Sequence, residues 1–184
     1  PMSDDAVRTI VATDAGELAF QDYFVRRRCE PVVRAIRFAG ATTARPLPAV
    51  IDLLRSPHLE AVIVCPSNPY LSVDPLLAMP ALRAALCATA APVVAVSPII
   101  GGQAVKGPTA KIMRELGLES SAAAVVAHYA GLIDGIVLDD ADAALAASAG
   151  VPAIATATWM RTLEDRERLA DATLRFAATL RGRP

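Results

Sequence analysis

Four short runs rich in β-branched residues recur through the chain, and they constrain its fold more than any other feature. They are Ala61 to Cys65, Val93 to Val96, Gly135 to Leu138 and Val151 to Ala155, each closed by a loop or turn and separated from the next by a helical pattern. Apolar strands bounded in this way are those of a parallel sheet covered on both faces, and their alternation with helices is the signature of a doubly wound α/β fold. The fold class expected is therefore α/β, with a mostly parallel sheet flanked by helices in a Rossmann-like three-layer arrangement. In such a sheet, ligands sit outside the carboxyl ends of the strands, where backbone N–H groups converge. Two loops fit that position: Cys65-Pro66-Ser67-Asn68-Pro69-Tyr70, and the longer stretch from Val96 through Ser97, Gly101, Gly102 and Lys106 to Pro108.

Ahead of these strands, Val7 to Ala12 alternates like a half-buried strand, and Val32 to Phe38 is β-rich. Gly16 to Cys29 is open between helix and loop. Pro48 to Arg55 is expected as a short helix with Pro at its first position. Asp74 is expected to cap a helix that runs through Leu82 and Leu86, with irregular first turns at Pro80. Further helices are expected from Thr109 to Leu116, stopped by Gly117, from Ser120 or Ser121 through His128, and from Ala141 to Ala149, closed by Gly150. Leu163 to Leu180 reads as a long amphipathic helix with Leu169, Leu174, Phe176 and Leu180 on its apolar face. No repeat or linker divides the 184 residues, which are expected to form one α/β domain.

A formal net charge of −1 argues against a nucleic-acid surface, which would carry a basic stripe. Arg26-Arg27-Arg28 is too short for one and reads either as a solvated helix end or as an anion site. The uncharged stretch from Ala84 to Val105 is long enough to span a membrane, but Pro92, Pro98, Gly101 and Gly102 break it into strand-sized pieces, so no membrane span is expected. Without a visible secretory leader, a cytoplasmic protein is the default. Cys29, Cys65 and Cys87 lack the spacing of a disulfide framework or zinc site and read as small buried hydrophobes.

Few residues offer chemistry. Asp4 and Asp5 are adjacent carboxylates in a loop. Such a pair suits a magnesium ion bound together with substrate phosphates, or a general base, but also a plain solvated turn. Ser67-Asn68-Pro69 can bind a polar ligand edge or make an Asx turn. Ser97 with Gly101-Gly102 has the composition of a phosphate cradle and Lys106 could add a cation, although no standard phosphate-loop spacing is present. His128 reads as a satisfied helix histidine ahead of a catalytic one, and Asp139-Asp140 as a helix cap ahead of a metal site.

Taken together, Pro1-Met2-Ser3-Asp4-Asp5, the segment from Glu17 to Arg28, Pro66-Ser67-Asn68-Pro69, Ser97 to Gly102 and Lys106-Gly107-Pro108 resemble the 2-phospho-L-lactate transferase family, known as CofD. His128-Tyr129 and the segment from Asp165 to Phe176 continue the likeness. The resemblance implies a magnesium-dependent transferase of coenzyme F-420 biosynthesis. It would move a phospholactyl-type group from a guanosine-diphosphate-linked donor to the ribityl hydroxyl of the deazaflavin precursor Fo, releasing GMP. It gives Asp4 and Asp5 the catalytic and metal-binding roles. Substrate binding falls to Ser67, Asn68, Pro69, Ser97, Ile99, Gly101, Gly102, Lys106 and Gly107. Members of the family are longer and begin with a glycine-rich loop, so the chain is expected to be a carboxyl-terminal portion, incomplete at its N-terminus, inactive alone and open to self-association. The other reading is a nucleotide- or UDP-sugar-binding regulator of the related gluconeogenesis-factor type.

Overall fold

The protein is described by a computed structural model over residues 2–105 and 107–181. Its centre is a four-stranded parallel sheet built from β4 (Val62–Val64), β5 (Val93–Val96), β8 (Gly135–Leu138) and β9 (Ala153–Ala155), in the order β4-β5-β8-β9. All four runs singled out in the sequence are therefore strands of one sheet. β5 and β8 are buried along their whole length. β4 lies at the open edge of the sheet, and its three residues are only half-buried.

Helix α6 (Leu163–Leu180) covers one face, with Leu169, Phe176, Ala177 and Leu180 packed on Val94, Val96 and Val137. Leu174, expected on that apolar face, is 55% exposed, because the stripe is carried instead by Leu169, Thr173, Phe176, Ala177 and Leu180. Gly135 admits the helix closely: a Cβ there would stand 2.7 Å from Leu180 Cδ1 and 2.8 Å from the Phe176 ring. The opposite face packs into the main core through α4 (Thr109–Glu115) and α5 (Ala122–His128), where Ile112, Met113, Val125 and Val126 meet Val93, Ala95, Ile136 and Leu138.

Three strands not foreseen as a unit form a second sheet. β1 (Arg8–Thr13) pairs antiparallel with both β2 (Gly16–Ala19) and β3 (Val33–Ala39). Val11, Leu18, Tyr23 and Val33 from this region join the same core as β5 and β8. The ambiguous Gly16 to Cys29 stretch divides into β2 and a π-helical turn over Asp22–Arg26. Arg26 and Arg27 close on Asp22 at 2.9 and 3.7 Å, which is the solvated-end reading of the arginine cluster.

α1 (Pro48–Arg55) begins at Pro48 as expected. The helix expected after Asp74 breaks into α2 (Asp74–Leu77) and α3 (Pro80–Cys87), since Pro80 can only open a new helix. Asp74 does not cap it: its carboxylate reaches His128 Nε2 at 2.8 Å instead. The segment from Asp140 to Ser148 is 3₁₀ rather than α. Cys65 and Cys87 are exposed, one past the edge strand and one at the end of α3, so the buried reading holds only partly, at half-buried Cys29. Among the described residues, no helix is long and apolar enough to cross a membrane.

Candidate functional site

The carboxyl ends of β4, β5 and β9 open onto one cleft of about 150 Å³. β4 delivers Pro66, Ser67 and Asn68, β5 delivers Ser97 and Pro98, and the segment after β9 delivers Thr158, Trp159 and Met160. Ile100 and Val105, from the long connection after β5, and Thr109, the first residue of α4, complete the wall. This is the location where an open parallel sheet receives ligands.

Asn68 is the residue in the cleft most clearly prepared for a partner. Its Oδ1 accepts the N–H groups of Tyr70 and Leu71 at 3.0 and 3.1 Å, capping a π-helical turn over Pro69–Val73. The Asx turn and the ligand-binding reading are thus compatible, because the two bonds orient the amide and leave its Nδ2 buried without a hydrogen-bond partner. A buried donor without a partner costs about 1–3 kcal/mol, and an acceptor oxygen of a ligand would relieve that cost. The turn that carries Asn68 is held from behind by the Asp74–His128 bond and by the edge of Tyr70 against the His128 ring, 4.8 Å between centroids. His128 is the satisfied helix histidine expected.

Ser67 lines the cleft and donates its Oγ to the Cys65 carbonyl at 3.1 Å. Ser97 is 1% exposed and exchanges both of its hydroxyl hydrogen bonds with the backbone of Ile99, so it shapes the loop. Pro69 and Ile99 are buried and lie outside the lining; Ile99 is a core residue, and Ile100 takes its place at the wall. Gly101 and Gly102, at φ +54° and +77°, form the two-residue turn of a hairpin between β6 (Ile99–Ile100) and β7 (Gln103–Ala104). Paired positive φ values are what such a turn requires. The Gly101 N–H is taken by Asp142 Oδ2 at 2.9 Å, which commits that backbone donor within the turn. Gly107, at φ +72°, also stands outside the lining, and Lys106 lies outside the described residues.

Asp4 and Asp5 occupy a different pocket, with Arg45, Pro46, Leu47 and Pro48, and share no lining residue with the cleft. The Arg45 backbone and guanidinium donate to Asp5 Oδ2 at 2.9 and 3.1 Å, and that contact holds the Asp5 carboxyl below its ordinary value. Asp4 is exposed. Among the described residues, no three His, Cys, Asp or Glu side chains gather as a metal cage. Asp4 and the Arg45-bound Asp5 are the residues that could hold a magnesium ion, which takes one or two carboxylates and completes its shell with water and substrate phosphate.

The loop after β9 was not foreseen as part of the site. Asp139, at the end of β8, accepts Thr158 N and Thr158 Oγ1 on Oδ2, at 2.8 and 2.9 Å, and Ala141 N on Oδ1 at 3.1 Å. Burial would raise the Asp139 carboxyl, but these hydrogen bonds outweigh it and leave the group lowered. The sequence signal was only that Trp159 follows the last strand.

Fold and cleft together define a Rossmann-like α/β protein with a cleft at the carboxyl end of its sheet. A family model described as 2-phospho-L-lactate transferase CofD matches residues 1–168. A 2-phospho-L-lactate transferase of Methanopyrus kandleri is 38% identical over 185 residues, covering 99% of the chain and 58% of the relative. A phosphoenolpyruvate transferase of Streptomyces avermitilis is 38% identical over 189 residues, covering 98% and 59%. Another phosphoenolpyruvate transferase, of Thermobifida fusca, is 38% identical over 188 residues, covering 100% and 57%. The chain belongs to the CofD family, and it spans under three-fifths of the length of these relatives.

Proposed function

We propose that this chain is the acceptor-binding part of a transferase of coenzyme F-420 biosynthesis. The group moved is a phospholactyl- or phosphoenolpyruvyl-type unit, the acceptor is the ribityl hydroxyl of the deazaflavin precursor Fo, and the donor is linked to guanosine diphosphate. The names of the relatives support both acids. The observation that carries the acceptor assignment is that Asn68, whose Nδ2 is buried without a hydrogen-bond partner, lines the cleft together with Ser67. An amide donor and a hydroxyl suit a polyhydroxylated chain, and the apolar wall suits the rings attached to it.

In the reaction proposed, the ribityl oxygen forms a bond to the phosphorus bearing the acid, and the bond from that phosphorus to the GMP oxygen breaks. The hydroxyl proton leaves as attack proceeds, to a carboxylate or to water. Positioning of the hydroxyl by Asn68 and Ser67 contributes by orientation. A magnesium ion, when bound, would neutralise charge on the phosphates, and Asp4 and Asp5 are the residues to hold it. Asp5 is committed to Arg45, so Asp4 would take the leading role in metal binding.

The test is a titration of the 184-residue chain with Fo, read by the fluorescence of the deazaflavin, with and without GDP and Mg²⁺. Saturable binding is expected. Asn68→Ala should weaken it about tenfold, which is roughly 1.4 kcal/mol, the scale of one hydrogen bond. Absence of Fo binding, with saturable binding of a UDP-sugar in its place, would turn the reading toward a regulator.

A further inference from the structure

Trp159 is the only tryptophan of the chain, and its indole is 48% exposed at the wall of the cleft. A single exposed aromatic side chain is ordinary on a protein surface. This one is unusual in how firmly its backbone is held. On its N-terminal side, Asp139 Oδ2 accepts both the N–H and the hydroxyl of Thr158. On its C-terminal side, Asp165 Oδ2 accepts the N–H groups of Arg161 and Thr162 at 2.9 and 3.0 Å. Arg168 adds a bond to the Ala157 carbonyl at 2.8 Å. Two carboxylates thus bracket Trp159 and Met160, each accepting two donors from the segment Thr158 to Thr162. The guanidinium of Arg161 lies over the indole, 3.6 Å from its centroid, and occupies one of its two faces.

An apolar ring held in this way on the rim of a polar cleft is a pre-organised stacking surface, since little ordering entropy remains to be lost on binding. Resting on the acceptor assignment above, we infer that Trp159 is a ring-binding residue: its free indole face stacks on the planar tricycle of the deazaflavin, while the ribityl chain enters toward Asn68. The walls nearby favour the deazaflavin ring over guanine. Trp159 is accompanied by Met160, Ile100, Val105 and Pro98, and among the described residues no carboxylate lines the cleft to accept the N1–H and amino donors of guanine.

Titrations of the whole 184-residue chain with Fo and, separately, with GDP test the inference in wild type, Trp159→Ala and Trp159→Phe. Fo binding is read from the deazaflavin's own fluorescence polarisation, and GDP binding by calorimetry. Trp159→Ala is expected to weaken Fo binding by roughly three- to tenfold, Trp159→Phe to recover most of it, and GDP binding to be unaffected. Unchanged melting midpoints would show that both variants fold, as the half-exposed position leads one to expect. If wild type binds Fo and Trp159→Ala binds it equally well, the stacking role is overturned while the acceptor assignment stands. If Trp159→Ala weakens GDP and not Fo, the ring is guanine and the inference is overturned as stated. If wild type binds no Fo, the acceptor assignment fails and the stacking role fails with it.

Discussion

Asp139 was legible in the sequence as a helix cap, and it does accept the Ala141 N–H. What the sequence could not show is its second oxygen, which reaches across to Thr158, nineteen residues away, and ties the ends of β8 and β9 together. Such a contact exists only once the two strands are neighbours. Removing the carboxylate leaves the Thr158 N–H and hydroxyl buried without a partner. Asp139→Ala is therefore expected to cost about 1–3 kcal/mol, seen as a lower urea midpoint. The same variant should also lower the fluorescence anisotropy of Trp159, because the bracket on its N-terminal side is gone. A variant with wild-type anisotropy would show that Asp165 holds the loop unaided. Asn68 shows the same division. Its Asx turn is a local event readable from Asn-Pro, whereas the burial of Nδ2 depends on what the fold places over it.

At the scale of elements, local chemistry was legible wherever it met no competing demand. Pro48 opens α1, Ser121 caps α5 by accepting the Ala124 N–H, and Gly117 and Gly150 adopt positive φ at the ends of their helical segments. Gly101-Gly102 was legible as a special backbone position but not as a hairpin turn, since the two-residue strands beside it are too short to show a period. The start of α6 carries the clearest electrostatic consequence. Thr162 and Asp165 form a capping box, and the backbone bonds from Arg161 and Thr162, followed by the Arg168 side chain, bring the Asp165 pKa from 3.8 to about 2. A carboxylate whose folded pKa is lowered contributes its stability above the unfolded value. That contribution is lost as pH falls from 3.8 toward about 2. Asp165→Asn should therefore flatten the acid limb of stability in this window, measured by urea unfolding at a series of pH values. An unchanged limb would assign acid sensitivity to other carboxylates.

At the scale of the whole molecule, α6 meets the parallel sheet through a contact that only glycine permits at position 135. A methyl group there would collide with Leu180 and with the Phe176 ring, both of which are buried. Gly135→Ala is expected to destabilise the protein by about 1–3 kcal/mol, and paired with Phe176→Leu it should recover part of that loss. Equal melting temperatures for Gly135→Ala and wild type would mean that the helix shifts without cost. By itself, the sequence determined the four parallel strands, most of the helix starts and the strand ends that open onto the cleft, because β-branched runs, Pro, Gly and capping residues act through neighbours in the chain. Only the tertiary structure decided that β1, β2 and β3 pair as a separate antiparallel sheet, that Asp4 and Asp5 stand in another pocket from Ser67 and Asn68, and that Trp159 belongs to the cleft. Those outcomes depend on contacts between residues tens of positions apart, and hydrogen bonds and burial across such distances leave no period or local composition to read.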